Sequence, residues 1–424
     1  MARNPLKVVY MQTGLPGKPA LVVYDTDLHG MTAGLIAVKS LREAGLEVAR
    51  HYSNFAPAPP ATTPNAFADT LPQLAAPGTV SLYILDIPVN VQDPLKFINA
   101  VTAYTFGGGR VMFIDHHGHS QHVAHLFGAG VNVILQPTSF DMSLYIPRVL
   151  NNVDRDKEMY ALIGAISDFD VSVTGRVSPS LEEDVTEYLD VAFKQKLQKL
   201  PEVAQHAPRY GNIGALVEYL IERNVSAEEL LEMGREHGQP VPLLKHEVRG
   251  EVVYAVEMPP PGLAWKCAAK LSRYTSAPLA VVYTEAVRGN VRGGSLIATA
   301  YWRRPEYAPI VDAAVERIAA GRPVAGHTGA KSIFCTSVDE ARSLLPQLVA
   351  ALNEEAGRVW KPRVTHLVSD ERVASAIHED YRAILRALTE ILGEMRSMYK
   401  EYLDLKRRQV EALEREGRRS RATD

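Results

Sequence analysis

Four short stretches between residues 25 and 168 end apolar runs in acid or imidazole. Asp25-Thr26-Asp27-Leu28-His29-Gly30 follows LVVY, Asp86 follows SLYIL, Asp115-His116-His117 follows RVMFI, and Asp168 follows YALIGAIS. Strands of a parallel sheet are buried on both faces and read as unbroken apolar runs, so they offer polar side chains mainly at their carboxyl edge. The first three runs read as such strands, and the fourth as a hydrophobic segment of either type. Four such ends side by side would make one polynuclear site.

The rhythm of the rest follows this pattern. From about residue 18 to 175, VVY, GLIAVKSLREAG, SLYILDI, PLKFINAVTAYTFGG, RVMFID and VNVILQP alternate as strands and helices, the signature of an α/β sheet. The proline-rich stretch from Asn54 to Asn65 reads as a loop. Residues 180 to 237 lose the strand pattern and read as a helical connector, through LEEDVTEYLDVAFKQKLQKL, GALVEYLIERN and SAEELLEMGREHG. A second α/β unit begins near His246, with strands in EVVYAVEM, APLAVVYTEAV and GSLIATAYWRR and helices in LAWKCAAKLSRY and IVDAAVERIAAG. The expected plan is two α/β domains, 1–178 with a parallel sheet and a smaller one at 241–365, joined by helices at 179–240. A C-terminal helix and basic tail occupy 366–424.

In that last stretch Tyr381, Leu385, Leu388, Leu392, Met395, Tyr399 and Tyr402 recur at alternating spacings of four and three, which predicts a long amphipathic helix. Its apolar stripe is expected on this chain's own domains or on a second copy, with a docking helix for another protein as the sharper alternative. The closing KRRQVEALEREGRRSRATD reads as a solvated tail.

Composition limits the partners. A net charge of -3 over 424 residues excludes a generally basic nucleic-acid coat, so any nucleic acid must be held locally. Cys267 and Cys335 lie far apart without CxxC spacing, which argues against a zinc ribbon or disulfide framework; both are expected in the core and the chain in a reducing cytoplasm. No apolar run approaches the ~20 residues of a membrane span, so no membrane partner is expected.

In this order the motifs resemble the DHH phosphoesterase superfamily. They comprise D-x-D before a helix rich in small residues (GMTAGLIAVKSL), a lone Asp after a strand, I-D-H-H after the next strand, and GAISD. Further along, Gly321-Arg-Pro-Val-Ala-Gly326-His327-Thr-Gly329-Ala330 resembles the glycine-histidine motif of the DHHA1-type accessory domain, so the resemblance covers roughly residues 18 to 350. One position departs from it: the family carries D-x-D-x-D-G or H-x-D-x-D-G, whereas this chain reads D-x-D-x-H-G, with His29 in place of an Asp. Imidazole binds Mn2+ or Zn2+, but losing a carboxylate weakens the hold on hard ions, so the departure bears on metal identity more than on metal binding.

The resemblance implies a manganese-dependent phosphodiesterase of RecJ-like or oligoribonuclease-like type. It would act on single-stranded DNA or RNA oligonucleotides, from an end, with two ions roughly 4 Å apart (Mn2+, with Mg2+ or Zn2+ as alternatives). It further implies Asp86 as the bridging carboxylate, Asp25 or His29 on one ion, and Asp27, His116 and Asp168 on the other. His117 would face the scissile phosphate as donor or general acid, with Asp115 orienting its neighbours. Gly326 and His327 would clamp a phosphate through close backbone amides and an imidazole, with Arg288, Arg292, Arg322 and Lys331 around them. His119, His122 and His125 read as the loop and helix after the strand, Asp141 and Asp170 as weaker candidates, and Ser139 as a helix cap. Two other readings stay open: a catalytically weak or inactive scaffold in a replication or repair complex, and a phosphohydrolase of cyclic dinucleotides, pyrophosphate or polyphosphate.

Overall fold

The apolar runs of the first part pair into a five-stranded parallel sheet in the order β2-β1-β3-β4-β5, built from β1 (Ala20–Tyr24), β2 (Val48–Ser53), β3 (Ser81–Leu85), β4 (Arg110–Asp115) and β5 (Val131–Leu135). The computed structural model describes residues 18–53, 71, 80–89, 94–128, 130–260, 262–288, 291–327 and 329–368. Helices α1 (Leu28–Glu43) and α3 (Arg155–Ser167) cover one face of the sheet, and α2 (Pro94–Phe106) the other. Tyr24, Leu28, Met31, Ile163 and Ile166 share the core on the first face, and Phe97, Val101 and Phe113 that on the second. Each such side chain fully withdrawn from water stabilises the fold by about 1.5–3 kcal/mol. YALIGAIS is therefore helix, with Asp168 as its C-cap.

α1 starts abruptly because the Asp27 side chain accepts from the Gly30 amide at 2.7 Å. Small residues let α1 and α3 approach closely: a Cβ on Gly164 would stand 2.4 Å from Thr32 Oγ1 and 3.0 Å from the His29 ring. The strand order reverses between β1 and β3, which opens a crevice at the carboxyl ends of these two strands.

Residues 179 to 237 are helical as expected, including a π-helical turn (Asp184–Leu189), α4 (Ala207–Glu222) and α5 (Ala227–His237). Ser226 and Glu229 form a capping box at the start of α5. Val185, Leu189, Phe193, Leu216 and Leu230 belong to the same core as Tyr24 and Leu28, so the connector packs on the first sheet.

The second sheet is mixed, in the order β10-β11-β9-β8-β7-β6. Its strands are β6 (His246–Arg249), β7 (Val252–Ala255), β8 (Leu279–Arg288), β9 (Val291–Ala300), β10 (Val324–His327) and β11 (Ala330–Cys335), of which only β7 and β8 pair in parallel. Helix α6 (Ala264–Thr275) packs Cys267 and Leu271 against Val253, Ala280 and Val282, and α7 (Ala308–Ala319) lies between β9 and β10 in the chain. Both cysteines are free and buried. The chain divides into two compact units, Met1–Asn353 and Glu354–Asp424; the described part of the second is the end of α8 (Val338–Val368). The proline-rich stretch and the heptad stretch with its basic tail lie outside the described residues. Among the described residues no helix is long and apolar enough to cross a membrane.

Candidate metal centre

Asp25 follows β1, Asp86 follows β3 and Asp115 ends β4, so three neighbouring strands deliver carboxylates to one edge, and α3 brings Asp168 to it. Asp86 occupies the middle. Its Oδ2 lies 2.8 Å from His29 Nδ1 and its Oδ1 3.1 Å from His116 Nε2, which in turn is 3.5 Å from Asp168 Oδ2. The Asp86 backbone is left-handed, with φ 61°, a conformation that costs a non-glycine residue about 1 kcal/mol or more and is concentrated at functional sites. Its amide donates to Ile114 O at 3.0 Å, which ties the strained residue to β4.

His29 is held from behind. Its Nε2 lies 3.2 Å from the Ser139 carbonyl oxygen and 3.1 Å from Ser143 Oγ. A carbonyl only accepts, so Nε2 carries a proton, and Nδ1 is turned toward Asp86; an acceptor behind the ring fixes its orientation. Asp115 folds back over the residues that follow it: its Oδ1 accepts from the amides of His116 (2.8 Å) and His117 (3.4 Å) and pairs with His117 Nδ1 at 2.7 Å.

Crowding sets the protonation of the centre. Burial, reinforced by the charges of Asp27 and Asp86, pushes the Asp25 carboxyl up to about 8. Asp27 is also raised, by burial of its carboxyl and then by the charges of Asp86 and Asp168. Burial alone would drive the imidazoles down, but Asp86 holds His29 up at about 10, and the bond to Asp115 holds His117 up at about 10. Asp86 and Asp115 are themselves kept low: against the upward push of burial, the charge of His29 prevails for the first and the His117 hydrogen bond for the second.

A divalent cation fits this arrangement. Four buried polar atoms, His29 Nδ1, Asp86 Oδ1, Asp115 Oδ2 and His116 Nε2, have no well-aligned hydrogen bond although oppositely charged partners lie near. Three groupings with donor atoms within 4.8 Å of one another overlap here: Asp27, His29 and Asp86; His29, His116 and Asp168; and Asp86, Asp115, His116 and His117. Oxygen and imidazole donors in this mixture suit Mn2+ or Zn2+, with Mg2+ favoured less by the nitrogens. Asp25 stands outside those groupings, its Oδ1 accepting from the Thr26 amide at 2.7 Å.

The second set of expected site residues is not one cluster. Gly326 lies in β10, an edge strand, and not in a turn; Lys331 pairs across from it on β11 and faces Asp312 at 3.9 Å. Arg322 is engaged by Glu340 at 2.8 Å. Arg292 is exposed near the β8–β9 turn, whereas the Gly329 end of the β10–β11 hairpin meets Ala300 at the opposite end of β9, roughly 26 Å of extended strand away. The side chains of Arg288 and His327 lie outside the described ones, as does that of His119. His122 and His125 are exposed, and Asp141 pairs with Arg148 at 2.7 Å. Thr138, not Ser139, caps the helix Ser139–Ser143; the Ser139 hydroxyl donates instead to Asp170 at 2.9 Å. Ser143 behind His29 and Lys266 behind Asp168 had no sequence signal, because each reaches the centre only through tertiary packing.

No family model matches the chain, and no curated protein matches it. Solved structures similar to it include a DHH-domain protein described as a member of a family of ribosomal proteins (14% identity, 80% of this chain and 87% of that one, TM-score 0.43). Another is RecJ with Mn2+ from Thermus thermophilus (14%, 84% and 54%, 0.42). A third is a pGpG-specific phosphodiesterase from Vibrio cholerae (10%, 80% and 100%, 0.43). What the centre can do rests on its own geometry.

Proposed function

We propose that the chain is a metal-dependent phosphodiesterase of the DHH superfamily that hydrolyses single-stranded DNA or RNA, or short oligonucleotides, from an end. The observation that carries this reading is the Asp86 carboxylate, whose two oxygens face different histidines, His29 and His116, as a residue shared between two cations would. Two divalent ions bound there would neutralise the phosphate, activate water and stabilise the leaving oxygen. On this reading Asp27 and His29 hold one side of Asp86 and His116 with Asp168 the other, with Asp25 completing the acidic wall. His117, kept protonated by Asp115, is the donor available to a phosphate oxygen or to the departing alkoxide. Asp115 holds that ring in orientation and touches no substrate.

The test uses oligonucleotides labelled at either end, beside a cyclic dinucleotide and pyrophosphate, with Mn2+ supplied. Mononucleotide release from one end is expected. Turnover of the small phosphate compounds alone would move the substrate class, and a metal-loaded chain that cleaves none of them would overturn the enzyme reading in favour of a scaffold.

A further inference from the structure

Lys266 is a lysine of α6, in the second α/β unit, that is 5% exposed and reaches the back of the metal centre. Its ammonium donates to the carbonyl oxygen of Ser167 at 3.3 Å and lies 4.8 Å from the centre of the Phe169 ring, so it grips the residues on both sides of Asp168. The gripped turn is strained: Phe169 is left-handed, with φ 59°. The turn is also tied forward. The Asp170 carboxylate accepts from Ser139 Oγ at 2.9 Å and the Phe140 amide at 3.1 Å, and the helix that these residues open supplies the Ser139 carbonyl and Ser143 hydroxyl behind His29. A continuous run of bonded groups thus leads from Lys266 through residues 167–170 to both Asp168 and His29.

Charge balance at the connector accounts for only part of this placement. Asp190, 3.5 Å from Lys266, already pairs with Lys194 at 3.0 Å. A buried ammonium is costly to desolvate, and Asp190, the Ser167 carbonyl and the Phe169 ring together offset that cost. Beyond a counter-charge for Asp190, the lysine supplies a donor for the Ser167 carbonyl and a cation for the Phe169 ring.

We propose that Lys266 is a positioning residue for Asp168 and, through Asp170, for His29, so that the seating of the second α/β unit sets the geometry of the metal centre. The inference rests on the reading of that centre given above. Because the clamp acts on the backbone, it has a readout that needs no metal: hydrogen exchange of the amides of residues 168–170 in the full, metal-free chain. With Lys266→Met those amides should exchange at least about tenfold faster while those of β8 and β9 keep their rates. Mn2+ affinity, measured by calorimetry on the same protein, should fall about 10- to 100-fold, the range for losing a residue that orients a ligand. Lys266→Gln, which keeps a donor for the Ser167 carbonyl, should recover part of both and serves if the Met variant does not fold. Adding Lys266→Met to Asp168→Ala should cost less affinity than Lys266→Met costs the wild type, because only the route to His29 is left. Protection of 168–170 equal to wild type, or a uniform acceleration of all amides, would overturn the clamp. A folded wild-type chain that binds no Mn2+ would instead overturn the metal reading, and the exchange rates would still decide the role of Lys266.

Discussion

Glu182, Glu187 and Asp190, buried where the connector meets the second α/β unit, are faced by Arg303, Arg273, Lys270, Lys194 and Lys266. Asp25, Asp27, Asp86, Asp115 and Asp168, crowded at the edge of the first sheet, have three histidines around them and, among the described residues, no lysine or arginine in an ion pair. Both clusters sit in low-dielectric surroundings where an unopposed carboxylate is costly. The first is balanced by the chain's own cations and serves to join two parts of the fold. The second has only histidines as counter-charges among the described residues and is strained at Asp86; on our proposal it takes its further positive charge from an external cation.

If this contrast holds, the same kind of substitution has opposite consequences in the two places. The largest effect is expected for Asp86→Ala: loss of the shared carboxylate should lower kcat on the order of a thousandfold or more, since several kcal/mol of transition-state charge stabilisation depend on it and each 1.36 kcal/mol is a factor of ten. End-labelled oligonucleotide assays would show it. Next comes Glu182→Gln in the balanced cluster, where Tyr301, Trp302 and Arg303 all approach the carboxylate. Leaving the half-buried Arg303 without its partner on the buried Glu182 should cost about 3 kcal/mol in a denaturant titration.

Asp25→Asn should do the reverse in the metal-free chain. A carboxyl raised to about 8 in the fold and near 3.8 unfolded binds its proton more tightly in the folded state, so stability is full at low pH and declines as pH rises between those values. Removing the charge should therefore raise the thermal midpoint at neutral pH, while Mn2+ affinity falls. A lower midpoint would show that the acidic edge is balanced after all. The smallest effect is at Glu218, held down to about 2, where the upward push of burial is outweighed by His51 and Arg42, at 2.9 and 3.0 Å. A depressed carboxyl stabilises the fold above its unfolded value near 4.5, and that contribution is lost as pH falls toward 2. Glu218→Gln should thus flatten the acid limb of the stability profile between those values.

How much of this could be read from the sequence depends on whether the signal was local. β1, β3 and β4 with their terminal acids were legible because fully buried parallel strands spell themselves as apolar runs, and the connector because its helices carry the 3.6-residue period. β2 was not, since VARHYS has polar residues where an edge strand is half covered, and its His51 is buried by Tyr24, Tyr210 and Glu218, distant in sequence. The β10–β11 hairpin was not legible, because its glycines break the apolar pattern; Gly326, at φ 127°, is a strand residue in a conformation open to glycine. For the same reason Gly326, Lys331, Arg322 and Arg292 looked like one clamp, whereas strand register carries them to different ends of a sheet. Within the centre the clustered acids and histidines were legible, but the backing of His29 by Ser139 and Ser143 and of the Asp168 turn by Lys266 was not, because no local pattern encodes those contacts.

The most direct test of the contrast is a calorimetric titration of the folded, metal-free chain with Mn2+, run beside Asp86→Ala and His29→Asp. Our account predicts two ions bound by the wild type and none by Asp86→Ala. It also predicts binding kept by His29→Asp, with preference moved toward Mn2+ and Mg2+ over Zn2+, because a carboxylate is the harder donor. A wild-type chain that binds no ion, or an Asp86→Ala chain that binds as the wild type does, would contradict it.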